Sequence, residues 1–300
     1  GATAGLRKDM RPPLTDNVTV RPGLGALYSA LVGAAARTTV PRVLRAPAYR
    51  TFARAVGANL TEVEKPLTDY SSLGDFFARR LTPDARHLAA DPAILISPCD
   101  GLVAASGAVT SDTLVQAKGR NYSLAALLGD SASAARFVGG VYSTVYLSPR
   151  DYHRVHCPFE AELVAYRYVP GALWPVSKRF VDGVDELFAV NERVVIELQT
   201  ALGAVTLVMV AAAGVGNLWL SHWDGGRETR GLRTAGQALD IAVGKSLQRG
   251  DELGAFQLGS TVILLAQHAT LLRMPGDVVR FGEPLEIGRA SCRERVSLNV

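Results

Sequence analysis

Cysteine is scarce in this 300-residue chain, with only Cys99, Cys157 and Cys292. They form no C-x-x-C pair and no other metal-ligand spacing, so no zinc module is expected and no metal is called for. An odd, sparse set also gives no disulfide framework and suits a reducing compartment. No run reaches the roughly 18 consecutive apolar residues that a membrane-spanning helix needs. The longest candidate, Leu24 to Ala36, is too short. No basic start followed by an apolar centre and a small-residue cleavage site stands out in the given sequence, so no secretory signal is expected within it.

Familiar nucleotide and hydrolase motifs are missing too. "VGKS" (Val243 to Ser246) has the end of a phosphate loop, but Leu239 stands where that loop needs glycine, and the residues before it do not read as a strand. "GVGN" (Gly214 to Asn217) is too short for a dinucleotide fingerprint, and no G-x-S-x-G elbow surrounds Ser260. Strands do not alternate with helices, which argues against a doubly wound sheet.

What is present is an ordinary globular composition, 48% hydrophobic and 20% charged, long enough to bury a sizeable core. The charge is uneven. Residues 1–60 hold nine basic side chains against Asp9 and Asp16 alone, a surplus of seven, in a chain whose net charge is +4. A basic, apolar segment without interleaved aromatics predicts an anionic membrane surface as partner and no nucleic acid. Residues 24–56 have helical spacing of apolar residues, with breaks expected near Pro41 and at Ala46-Pro47. "SSLGDFFARRL" (Ser71 to Leu81) predicts a short helix capped by Ser71 or Ser72, with Arg79 and Arg80 in its last turn. "SLAALLG" (Ser123 to Gly129) predicts another. From Ile94 onward, short runs rich in Val, Ile and Tyr recur between turns, as in "VYSTVYL", "ELVAYRYV", "RVVIEL" and "TVILLA". The expected class is α+β: a β-rich, mostly antiparallel core (61–286) behind a basic amphipathic helical region (1–60).

Both ends are odd. The chain does not begin with Met, and Met10 is a candidate natural start. "IGRASCRERV" (Ile287 to Val296) has no apolar period, and a DNA string resembling a sequencing adapter can encode it in frame. We expect residues 287–300 to be non-native.

Three polar positions carry candidate chemistry. "YLSPRDYHRVHCP" (Tyr146 to Pro158) holds His153 and His156 three apart on a polar loop leaving a strand. "SPCDGLV" (Ser97 to Val103) puts Asp100 before a glycine, where a plain turn is the ordinary reading. "LGST" (Leu258 to Thr261) interrupts an apolar strand with Gly259, Ser260 and a second hydroxyl. An acid that orients a histidine, which deprotonates a serine, is triad logic, recognised by role and not by order. Asp100, His156 and Ser260 are one such set, and an intact serine hydrolase is one reading of it.

Together, "FFARRLTP", "SPCDG", "QAKGRNYSLAALLG", "YLSPRDYHRVHCP", "YVPGALWPVS", "NERVV" and "LGST" resemble the pyruvoyl-dependent phosphatidylserine decarboxylases of bacterial type, in order from Leu73 to Leu265. Cys99 departs mildly from that pattern, standing where a small residue is usual. The resemblance implies cleavage of the chain between Gly259 and Ser260, with Asp100, His156 and Ser260 in self-processing and His153 in decarboxylation. It implies a pyruvoyl cofactor made from Ser260 and phosphatidylserine as substrate, with phosphatidylethanolamine as product. It also implies a large and a small chain from one precursor, which we expect to pair as a homodimer, peripheral on the cytoplasmic face of the bacterial cell membrane.

Overall fold

A computed structural model describes residues 33–117, 120–176, 178–181, 183–212, 217–232, 237–257 and 260–288. The helical expectation for residues 24–32, Gly259, Cys292 and the tail beyond Gly288 lie outside the described residues.

The α+β expectation stands. The main sheet has eight strands in the order β12-β7-β8-β9-β14-β5-β2-β16, and every pairing in it is antiparallel. Its strands are β2 (Gly101–Ala108), β5 (Val141–Leu147), β7 (Ala161–Val169), β8 (Arg193–Thr200), β9 (Gly203–Ala211), β12 (Leu239–Leu247), β14 (Ser260–Ala266) and β16 (Val278–Val279). Strand β14 lies between β9 and β5 and is buried along its whole length. It reads "STVILLA" without alternation because both of its faces meet apolar partners. Val262 and Leu264 join one core with Val145, Leu147 and Met209. Ile263 and Leu265 join the opposite core with Tyr122, Phe137 and Val208.

The first core is closed by a four-stranded sheet, β11-β10-β13-β6, whose strands are β6 (Arg154–His156), β10 (Leu218–Leu220), β11 (Arg227–Glu228) and β13 (Glu252–Phe256). Val155, Leu218, Leu253 and Phe256 supply its apolar contacts. A three-stranded sheet pairs β17 (Pro284–Gly288) with β1 (Ile94–Ile96) and β15 (Ala269–Leu271). The remaining strands, β3 (Thr113–Ala117) and β4 (Arg120–Ser123), form a hairpin.

Helix α1 (Arg42–Val56) runs through Pro47, correcting the expected break. Proline removes the hydrogen bond to the carbonyl of Val43, and the helix tolerates this in its first turns, where Val43 is 84% exposed. Helix α2 (Leu73–Phe77) is capped by the Ser72 hydroxyl, which accepts from the Asp75 N–H. It stops earlier than expected, and Arg79 lies beyond it, buried. Helix α3 (Leu124–Leu128) has Ser123 as its cap and a left-handed Gly129 at its end, as its sequence predicts. Edge strand β12 runs from Leu239 through "VGKS", contrary to the reading of the residues before "VGKS" as non-strand. Gly244, at φ 62°, occupies a bulge between Ala242 and Lys245, which is why a glycine stands there.

Candidate active site

Ser260 is the first residue of β14, opposite Leu147 on one side and Ala211 on the other. Residues directly opposite on neighbouring strands share a face. Ser260 therefore faces the same side as Leu147, toward the core that the small sheet covers. It has no exposed surface, and its hydroxyl has no hydrogen-bond partner among the described residues.

The two histidines are delivered to this side by a short excursion. The chain leaves β5 at Leu147, turns at Ser148 to Asp151, and returns as β6 against β13, the strand that leads to Ser260. The turn is fixed by Asp151, whose carboxylate accepts from the Ser148 N–H and hydroxyl, each at 2.7 Å. Beneath it, Arg79 donates to the carbonyls of Arg150 (3.0 Å) and Asp151 (3.2 Å). Burial lowers the Arg79 pKa.

His153 is fully buried, its ring edge-on to Phe77 with centroids 4.9 Å apart. Its backbone carbonyl accepts from the Phe256 N–H at 2.9 Å, four residues before Ser260. Nδ1 lies 2.9 Å from the Asp151 carbonyl. A carbonyl only accepts, so Nδ1 carries the proton and Nε2 holds a bare lone pair. That Nε2 is buried and has no partner among the described residues. Burial pushes the His153 pKa down to about 4, so the ring is neutral at pH 7.

His156 is held differently. Its Nδ1 donates to the Gly250 carbonyl at 2.8 Å, so its Nε2 accepts from the Tyr152 hydroxyl at 2.9 Å. Burial pushes its pKa to about 4 as well, despite the Gly250 carbonyl. The ring stacks on Phe281 with centroids 3.8 Å apart.

Asp100 is nearly buried and bound to Arg86, which donates Nε to Oδ1 (3.1 Å) and Nη2 to Oδ2 (2.5 Å). Oδ1 also accepts the Phe281 N–H at 2.8 Å. Burial disfavours the Arg86 charge, but its hydrogen bonds and charge interactions with Asp100 and Glu62 outweigh this and leave its pKa above the ordinary value. The direct relay from Asp100 through His156 to Ser260 does not have its hydrogen bonds here. Asp100 instead meets His156 through Phe281, whose N–H it holds and whose ring covers the imidazole.

Arg86, Phe281, Tyr152 and Arg79 are the site residues that sequence reasoning missed. Tyr152 and Arg79 lie inside motifs already singled out. Arg86 and Phe281 belong to segments with no signal of their own.

The Phosphatidylserine decarboxylase family model matches residues 73–286. A phosphatidylserine decarboxylase proenzyme of Anaeromyxobacter sp. (strain K) is 45% identical over 262 residues, 86% of this chain and 92% of that protein. The proenzyme of Acidovorax ebreus is 39% identical over 92% of this chain and 98% of its own length. That of Brevibacillus brevis is 42% identical over 76% and 81%. The chain belongs to the phosphatidylserine decarboxylase family.

Proposed function

We propose that this chain is a precursor that cuts itself between Gly259 and Ser260 and then decarboxylates phosphatidylserine to phosphatidylethanolamine. The burial of Ser260 carries the self-cutting step, and kinship with the proenzymes supports the decarboxylation. The Ser260 hydroxyl, without exposed surface, meets only groups of its own chain. A serine hydrolase with an intact Ser260/His156/Asp100 triad must offer its nucleophile to an external ester or amide.

In this reading Nε2 of His153, the open nitrogen beside the strand leading to Ser260, takes the proton from Ser260 Oγ once these two unpartnered atoms close to hydrogen-bond distance. Oγ adds to the carbonyl carbon of Gly259, which no Cβ shields. The C–N bond breaks and the nitrogen regains a proton, leaving an ester. Loss of the α-proton of residue 260 then expels the Gly259 carboxylate and leaves a dehydroalanine. Water replaces its nitrogen, ammonia departs, and a ketone remains at the head of the small chain. Asp100 and Arg86 set the position of Phe281, and Phe281 with Tyr152 sets that of His156. In a second reading, drawn from the family resemblance, His156 is the base and Asp100 orients it. That reading requires His156 to release Tyr152.

A buried, unpartnered side-chain oxygen at the head of a fixed strand fits conversion of Ser260 to a pyruvoyl group. When formed, the group supplies a carbonyl that draws off the electron pair left as carbon dioxide departs. Nε2 of His153, bare in the resting protein, takes a proton from the substrate's ammonium and is the atom from which that proton then reaches the substrate's α-carbon.

No helix among the described residues is long and apolar enough to cross a membrane. The proposed attachment is peripheral, on the cytoplasmic face of the bacterial cell membrane, with residues 1–60 facing lipid and 61–286 catalytic. Val43 and Leu44, both exposed beside Arg42 on α1, support it. The proposed assembly is a homodimer of cut protomers. Release of labelled carbon dioxide from carboxyl-labelled phosphatidylserine, and none from free serine, is the expected result. The opposite preference would overturn the reading.

A further inference from the structure

A cavity of about 470 Å³ opens beside the residues that lead to Ser260. Its lining includes Gln257, three residues before Ser260, and Asn217, whose side chain donates to Gln257 Oε1 at 3.2 Å. Arg37, Arg80, Arg154 and Arg230 line the same cavity.

These arginines are not equivalent. Arg154 and Arg80 share one carboxylate, Glu252, Arg80 at 3.0 Å, which holds both and cancels one of their two charges. Arg37 and Arg230 are exposed and have no ion-pair partner among the described residues. Of the carboxylates in the lining, Asp75 is engaged by the Ser71 N–H and hydroxyl, and Glu228 by the Gln257 amide. Hydrogen bonds from neutral donors leave Asp75 and Glu228 charged, yet the four lining arginines outnumber these two carboxylates, and Arg37 and Arg230 stand outside any ion pair among the described residues, which suits phosphate oxygens.

Asn217 adds an independent sign. It is 3% exposed, and its Oδ1 has no hydrogen-bond partner among the described residues. A buried unpaired acceptor is costly, and an ammonium or amine N–H would satisfy it. The cavity thus offers an acceptor deep near residue 260 and free cations among its exposed residues. A serine phosphodiester has the matching order, its amine separated from phosphorus by two carbons and an oxygen.

We propose that Arg37 and Arg230 bind the phosphodiester of the substrate and that Asn217 receives its amine. The proposal rests on the decarboxylase reading above and adds the groups that select a serine phosphodiester over serine itself. The phosphate recognised is the same in a lipid headgroup and in free phosphate, so the test separates the two sources.

The test uses the processed protein with a short-chain phosphatidylserine below its micelle concentration, free of any bilayer. Arg37→Gln/Arg230→Gln should still cut itself, with kcat within a few-fold and KM raised ten-fold or more. Inorganic phosphate should compete with this substrate in the parent protein and lose that effect in the double variant. Arg37→Lys/Arg230→Lys should recover part of the KM, because charge is kept while the planar fork is lost. Asn217→Asp should also cut itself and shift the pH dependence of KM. An unchanged KM in the arginine double variant, or phosphate competition that survives it, would overturn the proposal. A parent protein inactive on phosphatidylserine would instead overturn the decarboxylase reading, a separate result.

Discussion

The imidazole of His156 lies flat against the ring of Phe281, with centroids 3.8 Å apart and planes 13° from parallel. The two residues sit on opposite sides of the proposed cut, His156 in the large chain and Phe281 in the small one. Asp100, also in the large chain, holds the Phe281 N–H. The small chain further keeps β14 between β5 and β9 at the centre of the main sheet. The cut protein is therefore expected to run as one particle by native mass spectrometry and as two bands once denatured. Separation of the two pieces without denaturant would contradict this.

The two histidines are separable by mutation. His153→Ala should leave the chain uncut, because it removes the open nitrogen beside the strand that leads to Ser260. His156→Ala and Tyr152→Phe should cut slowly, by something like 10²-fold for loss of a positioned histidine. A gel time course reads both. Normal cutting in His153→Ala with none in His156→Ala would favour the second assignment, with His156 as base.

Little of this arrangement is visible from sequence, and the reason is physical. Strand β14 is legible because β-branched and leucine side chains fill both of its faces. Ser123 and Gly129 mark the ends of α3 by capping chemistry that is local to them. Partners of the site are not local. Gly250 reaches His156 across 94 residues, and Phe281 reaches Asp100 across 181. No periodicity encodes such pairings. Arg79 seemed a helix-end cation because its neighbours are helical, yet its burial beneath the His153 turn follows only from tertiary packing.

The arginines of α1 also divide. Arg45 donates to the carbonyls of Val40 and Thr68, each at 2.8 Å, so it belongs to the fold. Arg42, Arg50 and Arg54 are exposed. Their joint replacement by Gln is expected to weaken binding to anionic vesicles and spare self-cutting, since each cation near such a surface contributes about 1 kcal/mol. Arg45→Gln should lower thermal stability instead. Vesicle co-sedimentation and a melting curve test both, and unchanged sedimentation of the triple variant would contradict the surface role.

Glu286 gives a pH signature. It is fully buried, its Oε1 accepts from Ser143 at 2.8 Å, and burial pushes its pKa up to about 8. A raised carboxyl pKa means that the folded state binds a proton the unfolded state has released. This contribution is complete below about 4.5 and is lost as pH rises through about 8. His153 and His156, with lowered values, act oppositely and lose stability as pH falls from about 6.5 toward 4. Urea unfolding of the uncut Ser260→Ala chain should therefore show a maximum near pH 6.5, with a slope of at most about 1.4 kcal/mol per pH unit for one group. Glu286→Gln should remove the decline between pH 6.5 and 8. A decline that persists would place its origin elsewhere.

The central claim is that Ser260 is consumed. The purified protein, denatured and separated, is expected to give a large piece ending at Gly259 and a small piece starting at residue 260. The small piece should resist Edman degradation and carry a mass that fits a pyruvoyl group in place of serine. A small piece that reads Ser-Thr-Val from its first cycle, or an active protein whose chain stays whole, would contradict it.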